Sequence, residues 1–246
     1  MEFYKSIAEQ YDNIFPFNPA QKDFTLQHIS PSHAEKDLLD IGCGTGSLAI
    51  QLAPHFKRVV GIDLDETMIE RARTKARGEK GTTNFEAMDM AQLAQKFEPN
   101  SLDAAICFGN TLVHLEDGSA IESFFEQVNK CLKPGGDFLL QIINYDRILS
   151  EDITKLPTIE NDVIMFERFY NYLGLRHRIE FNTVLTIKKT GEKVENTVKL
   201  YPLKKQEVIQ ALPNTGYTDV MFYGDFQGNK LTPSSMHMIV SCHKRP

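Results

Sequence analysis

Short apolar runs bounded by glycine or aspartate recur through the first 145 residues of the chain. Residues 38–41, 58–63, 85–90, 102–108 and 137–144 read as strands, because each is brief, aliphatic or aromatic, and closed by a turn residue. Between them the spacing changes to that of helices. Residues 47–53 continue directly from a glycine turn. Met68, Ile69 and Ala72 share one face of a helix from Glu66 to near Gly78, and 119–132 forms another, stopped by Lys133-Pro134-Gly135-Gly136. Four or five strands alternating with helices predict a parallel, doubly wound α/β sheet.

The rhythm differs on either side of this stretch. Residues 163–173, 177–189 and 193–201 read as consecutive antiparallel strands with turns at Gly174 and Gly191, followed by a helix over 204–212 and strands over 220–223 and 236–244. Toward the N-terminus, Tyr4, Ile7, Ala8 and Tyr11 fall at helical spacing, and Phe24, Leu26 and Ile29 predict a second helix before Pro31. The aromatic segment between them, Tyr11-Asp12-Asn13-Ile14-Phe15-Pro16-Phe17, either covers the sheet edge or closes as a flap with Tyr4, Tyr11 and Phe15 turned to a ligand. The expected organisation is one domain over 1–246. Its parts are a helical flap (1–33), a binding core (34–145), an inserted antiparallel roof (146–202) and a return to the sheet (203–246).

The chemistry gathers at Leu38-Leu39-Asp40-Ile41-Gly42-Cys43-Gly44-Thr45-Gly46, a strand, a glycine turn and a helix start, where free main-chain N–H groups face outward. A dinucleotide fingerprint would need a further glycine where Ser47 stands, so G-x-G-x-x-G fails here. Asp63 ends the next strand, 21 residues after Gly42. A carboxylate there can accept both hydroxyls of a ribose; alternatively it caps the helix from Glu66. Asp89 closes the third strand, and Phe108-Gly109-Asn110-Thr111-Leu112-Val113-His114-Leu115 follows the fourth. Ligands of such sheets lie at the carboxyl ends of strands, so these features converge on one crevice.

Composition narrows the ligand and partner. A chain of 246 residues that is 41% hydrophobic supports a full core. Its net charge of −6 disfavours nucleic acid as a partner, and the segment 147–207, with eleven basic against nine acidic residues, has no basic stripe. No apolar run is long enough for a bilayer, and residues 1–5 lack a basic-then-apolar leader, so a cytoplasmic location is expected. Cys43, Cys107, Cys131 and Cys242 are scattered and read as reduced thiols. The seven histidines show no metal-ligand spacing, so no metal is expected.

With these residues in view, the chain resembles the class I S-adenosylmethionine-dependent methyltransferases, and within them the glycine/sarcosine N-methyltransferase branch. The closer likeness rests on 109–115, on Asn144-Tyr145-Asp146-Arg147-Ile148-Leu149, on Gly224-Asp225-Phe226 and on the inserted roof. The resemblance implies a Rossmann-like seven-stranded sheet with its last strand antiparallel. The implied cofactor is S-adenosyl-L-methionine, converted to S-adenosyl-L-homocysteine. Its implied contacts are Gly42, Cys43, Gly44 and Gly46 of the turn, Asp40 before it, and Asp63, Leu64 and Met68. Asp89 and Met90, Phe108 and Gly109, Tyr11 of the flap and His114 complete the set. His114 would contact the methionyl end, or act as a base if its pKa lies near working pH. Asn110 and Tyr145 would orient the substrate. Glycine-methylating relatives place an arginine before the Asn-Tyr-Asp block; here that residue is Ile143, which speaks against glycine. The loop Phe108-Gly109-Asn110-Thr111 also lacks the Asp/Asn-Pro-Pro-Tyr/Phe motif of enzymes that methylate nucleic acids and proteins. The expectation is a small-molecule acceptor, methylated at an amine nitrogen or else at oxygen, in a pocket lined by Tyr11, Phe15, Phe166, Phe169, Tyr170 and Tyr172. A cofactor-binding protein without catalysis is the other alternative; a nicotinamide oxidoreductase is opposed by the glycine spacing. The sequence leaves the oligomeric state open.

Overall fold

The computed structural model describes residues 6–172 and 178–246. Its central sheet contains β1 (Asp37–Ile41), β2 (Arg58–Asp63), β3 (Thr83–Ala87), β4 (Leu102–Cys107) and β5 (Leu132–Ile143), all paired in parallel. β10 (Tyr217–Tyr223) and β11 (His237–Lys244) complete it in the order β10-β11-β5-β4-β1-β2-β3, with β11 antiparallel to both neighbours. The strand order reverses between β1 and β4, and that switch opens a crevice at the carboxyl ends of the strands.

Both faces of this sheet are covered, which explains why its strands read as nearly unbroken apolar runs. Leu39, Ile41, Val60 and Ile62 pack with Phe124, Phe125 and Val128 of the helix Gly118–Cys131. Leu38, Val59, Ala104 and Ile106 pack the opposite way, against the helices Ser47–Leu52 and Glu66–Lys75. One turn is placed differently from expectation. Residues 133–136 do not precede the fifth strand but bulge within β5, whose register advances from Leu102↔Leu132 to Ala104↔Asp137. Gly135, at φ +73°, supplies the left-handed step of that bulge.

The roof is a separate antiparallel sheet of β6 (Lys155–Glu160), β7 (Ile164–Asn171), β8 (Ile179–Ile187) and β9 (Lys193–Leu200). β6 does not show in the hydrophobic pattern because Pro157 interrupts it. As an edge strand whose register slips between Leu156 and Ile159, it tolerates the missing N–H. The expected turn at Gly174, the beginning of the strand from 177 and the helical position of Tyr4 lie outside the described residues.

The N-terminal segment divides between the two readings. The helix Pro19–His28, capped by the Asn18 side chain, covers the sheet through Phe24. Ile7 and Ile14 instead pack with Ile164, Phe166 and Leu185 on the inner face of the roof. Residues 7–15 therefore bridge the roof and the crevice below it.

Candidate active site

Gly42, Gly44 and Gly46 all have positive φ, between +54° and +75°. Space as well as conformation demands glycine here. A Cβ on Gly42 would collide with the Thr111 side chain; one on Gly44 would stand 2.9 Å from the Tyr11 hydroxyl. One on Gly46 would meet the Phe85 ring at 2.7 Å. Gly46 thus serves the packing of helix on sheet, whereas Gly42 and Gly44 leave bare backbone in the crevice.

The crevice holds about 730 Å³ of empty space, its open mouth included. Gly42, Gly44, Asp63, Leu64, Met68, Asp89, Met90, Gly109, His114 and Tyr11 line it, as the sequence leads one to expect. Ile62, Asp65, Met88 and Thr111 line it too and escape sequence reasoning. Their signal is only adjacency to a strand end. Four of the expected contacts do not line it. Cys43 turns its sulfur toward Gly61, Gly46 packs on Phe85, and Phe108 is buried against Phe226 at 5.1 Å. Asp40, only 4% exposed, sits beneath the turn.

Asp63 does not cap the following helix; Asp65 does, accepting from the Thr67 N–H at 2.9 Å. Asp63 instead accepts from the N–H of Gly44 at 2.9 Å and of Asp65 at 3.0 Å, one on each oxygen. A carboxylate has about four acceptor directions, so two remain for a pair of ligand hydroxyls. Asp89 accepts from the Ala91 N–H at 2.8 Å and faces the same space. Burial raises the Asp63 carboxyl, and burial together with the charge of Asp63 raises Asp40 to about 7. The lining includes three aspartates and neither lysine nor arginine. Such a field favours a cationic sulfonium ligand and opposes a pyrophosphate.

The flap is latched to the glycine turn. Asp12 accepts from Thr45 Oγ1 at 2.5 Å, Ser47 Oγ at 3.3 Å and Lys75 Nζ at 2.7 Å, and Lys75 also donates to Thr45 and Ser47 at 2.9 Å. Burial alone would raise the Asp12 carboxyl, yet the hydrogen bonds and charge of Lys75, with Thr45 and Ser47, hold it below its ordinary value. Tyr11, one residue earlier, thereby rests over Gly44. Phe15 packs edge-on against Phe166 and does not line the crevice.

Burial, helped by the charge of Arg178, lowers the His114 imidazole to about 4, well away from working pH. His114 lines the crevice as a neutral ring. Tyr145 is fully buried and does not line it. The Asn110 amide donates to the Tyr145 hydroxyl at 3.0 Å, and its carbonyl oxygen accepts from the Ile143 N–H at 3.0 Å. Both residues therefore brace the β4 loop, with Asn110 itself at φ +66°. Gln141 completes the brace, accepting from the Gly109 N–H at 2.7 Å. The roof aromatics Phe166, Phe169, Tyr170 and Tyr172 do not line the crevice. Phe166 and Tyr170 are buried, Phe169 lies under the Lys155 ammonium, and the Tyr172 hydroxyl donates to the carbonyls of Ile148 and Ile153.

Comparison with known proteins agrees with this geometry. Residues 38–136 match the family model described as a methyltransferase domain. The chain is 26% identical over 232 residues to a glycine/sarcosine N-methyltransferase of Aphanothece halophytica, covering 92% of this chain and 83% of that protein. An S-adenosylmethionine-dependent methyltransferase from Clostridium acetobutylicum shares the fold, with a TM-score of 0.80, 18% identity and 99% of each chain covered. CalS10, an amino pentose methyltransferase from Micromonospora echinaspora, superposes with a TM-score of 0.69 at 17% identity, covering 97% of this chain and 96% of that one. Glycine turn, acidic strand ends, sheet order and these likenesses agree: the chain belongs to the class I S-adenosylmethionine-dependent methyltransferases.

Proposed function

We propose that the methyl acceptor is the amine nitrogen of a small molecule. When bound, S-adenosylmethionine supplies an electrophilic methyl group on a sulfonium sulfur. The chain's own residues bind and enclose it: Asp63 accepts from the ribose, Asp89 faces the base, the bare backbone of Gly42 and Gly44 admits close approach, and Tyr11 covers the turn. Positioning alone supplies up to roughly 7–11 kcal/mol of acceleration in well-aligned systems. The Asp12 latch holds Tyr11 over the covered turn.

One observation carries the choice of nitrogen. The titratable group that the β4 loop brings to the crevice is His114, and at about 4 its imidazole is a poor base for a hydroxyl. An amine can lose its proton to solvent before it enters and then needs no base. The likeness to a glycine/sarcosine N-methyltransferase along most of the chain supports the same reading. The test is methyl transfer from deuterated S-adenosylmethionine to a library of small amines and alcohols, with products fragmented by mass spectrometry. Labelled N-methyl products are expected. Label found only on oxygen would overturn the proposal.

A further inference from the structure

The turn that leaves β4 takes two left-handed steps in succession. Gly109, which lines the crevice, has φ +74°, and Asn110 follows at φ +66°. Asn110 occupies that region at a cost, so the contacts around it must hold the turn in place. Gln141 of β5 supplies two of them. Its main-chain carbonyl accepts from the Asn110 N–H at 3.3 Å, and its side-chain oxygen accepts from the Gly109 N–H at 2.7 Å. Asn110 returns the contact, its side-chain oxygen accepting from the Ile143 N–H at 3.0 Å. The Gln141 side chain is therefore the one group that fixes the crevice-lining residue itself.

A glutamine amide can hold that N–H in only one of its two orientations; turned over, it sets its own NH2 against a donor. The neighbour on its far side selects the orientation. His237, at the start of β11, places Nδ1 3.1 Å from the Gln141 amide nitrogen. The Gly109 N–H can only donate, so the Gln141 atom facing it is the oxygen, and the amide nitrogen must donate to Nδ1. His237 is thus neutral, with its proton on Nε2. The charges around the ring are Arg168 of β7 and Asp225 of the β10–β11 turn. Burial, then Arg168, lowers the imidazole below its ordinary value, and Asp225 opposes them. Asp225 is itself engaged by its turn, accepting from the N–H groups of Gln227 and Asn229 and from the Asn229 amide. A proton added at Nδ1 would put a second donor against the buried amide. Whichever way the amide then turned, one donor would face another, which is costly away from water.

We infer that His237 is a positioning residue for methyl transfer: its Nδ1 orients the Gln141 amide and, through it, holds the Gly109–Asn110 turn at the edge of the crevice. His237 does not line the crevice; it acts across three adjacent strands, from β11 through β5 to the end of β4. His114, which does line it, lies on the same loop. The inference concerns the loop and not the acceptor, so it stands whether nitrogen or oxygen is methylated. It makes acidification a way of loosening the turn.

Imidazole nitrogen NMR of the unaltered protein with S-adenosylhomocysteine bound reads the contact directly. His237 should carry its proton on Nε2 and none on Nδ1 at neutral pH; a proton on Nδ1 overturns the inference. Rates are then followed as label passing from S-adenosylmethionine into one metabolite extract of fixed composition. His237→Leu removes the accepting atom and should lower the rate at saturating donor about tenfold, with the donor KM and the affinity for S-adenosylhomocysteine within about threefold of the parent. His237→Asn offers a side-chain oxygen near the place of Nδ1 and should restore the rate to within about threefold. Between about pH 7.5 and 5.5 the parent should lose rate more steeply than His237→Asn, which has nothing to titrate at that position. Equal rates in the two variants, or one pH profile shared by the parent and His237→Asn, overturn the role. Should His237→Leu fail to fold, the proton position and the His237→Asn profile decide it. Label found on oxygen would end the amine reading and leave each of these outcomes unchanged.

Discussion

The central sheet and the roof treat their polar side chains in opposite ways. At the sheet's carboxyl edge, Asp63, Asp65 and Asp89 each accept main-chain hydrogen bonds that shape the loops they belong to. These groups are pre-set, and a ligand meets a surface already organised by backbone. On the roof, Arg168 and Thr183 keep buried donors unspent. The sheet edge spends its carboxylates on backbone, whereas the roof keeps two donors without a partner.

Four variants sharpen or break this contrast. Asp40 has the greatest leverage, because it is a carboxylate buried beside the charge of Asp63. Its folded value, about 7, lies above the ordinary carboxylate value, so the native state takes the proton first. The stability it contributes is therefore present at low pH and lost as pH rises from about 4 through about 7. Asp40→Asn should stabilise the ligand-free protein at pH 8 on the order of 4 kcal/mol, and by less than about 1 kcal/mol near pH 4. Thermal melts at both pH values check this, and a gain independent of pH would refute it.

Asp63→Ala comes next. It removes two ligand-directed acceptor positions and the anchor of Gly44, so donor affinity should fall at least tenfold by calorimetry. Unchanged affinity would remove Asp63 from the site. A smaller effect is expected for Asp12→Ala, which frees the flap from Thr45, Ser47 and Lys75. Donor release should quicken about three- to tenfold in stopped-flow traces, and a release rate equal to the parent's would show that the latch holds nothing. The mildest change concerns His114. If the ring only contacts cofactor, His114→Asn should lower kcat less than about tenfold and leave the pH profile between 6 and 8 unchanged. Loss of an ionisation near 6.5 in that variant would restore the ring as a base.

How much of this was legible in the residues follows from what a sequence can encode locally. Periodicity and turn chemistry were enough to place the five parallel strands, the glycine turn and the strand-end positions Asp63, Asp89, Gly109 and His114; Leu64, Met68 and Met90 came from the family resemblance, and all of these line the crevice. All sit at strand ends, and parallel winding brings every such end to one edge. Side-chain direction was less legible, since Asp40, Cys43, Gly46 and Phe108 are neighbours of lining residues in the chain but face other surroundings. β6 was hidden by Pro157, whose presence depends on an edge that only the assembled roof defines.

The rest was decided in three dimensions. The sequence by itself determined the parallel strands and the glycine turn, because each depends on residues close along the chain, and the motifs they form carry the family resemblance that implies the cofactor. The tertiary structure decided the latch between Asp12 and Lys75, the proton position on His237, the depressed imidazole of His114 and the unsatisfied row of Arg168 and Thr183. Those features depend on register, burial and charge between groups far apart in sequence, and such distances exist only once the chain has packed.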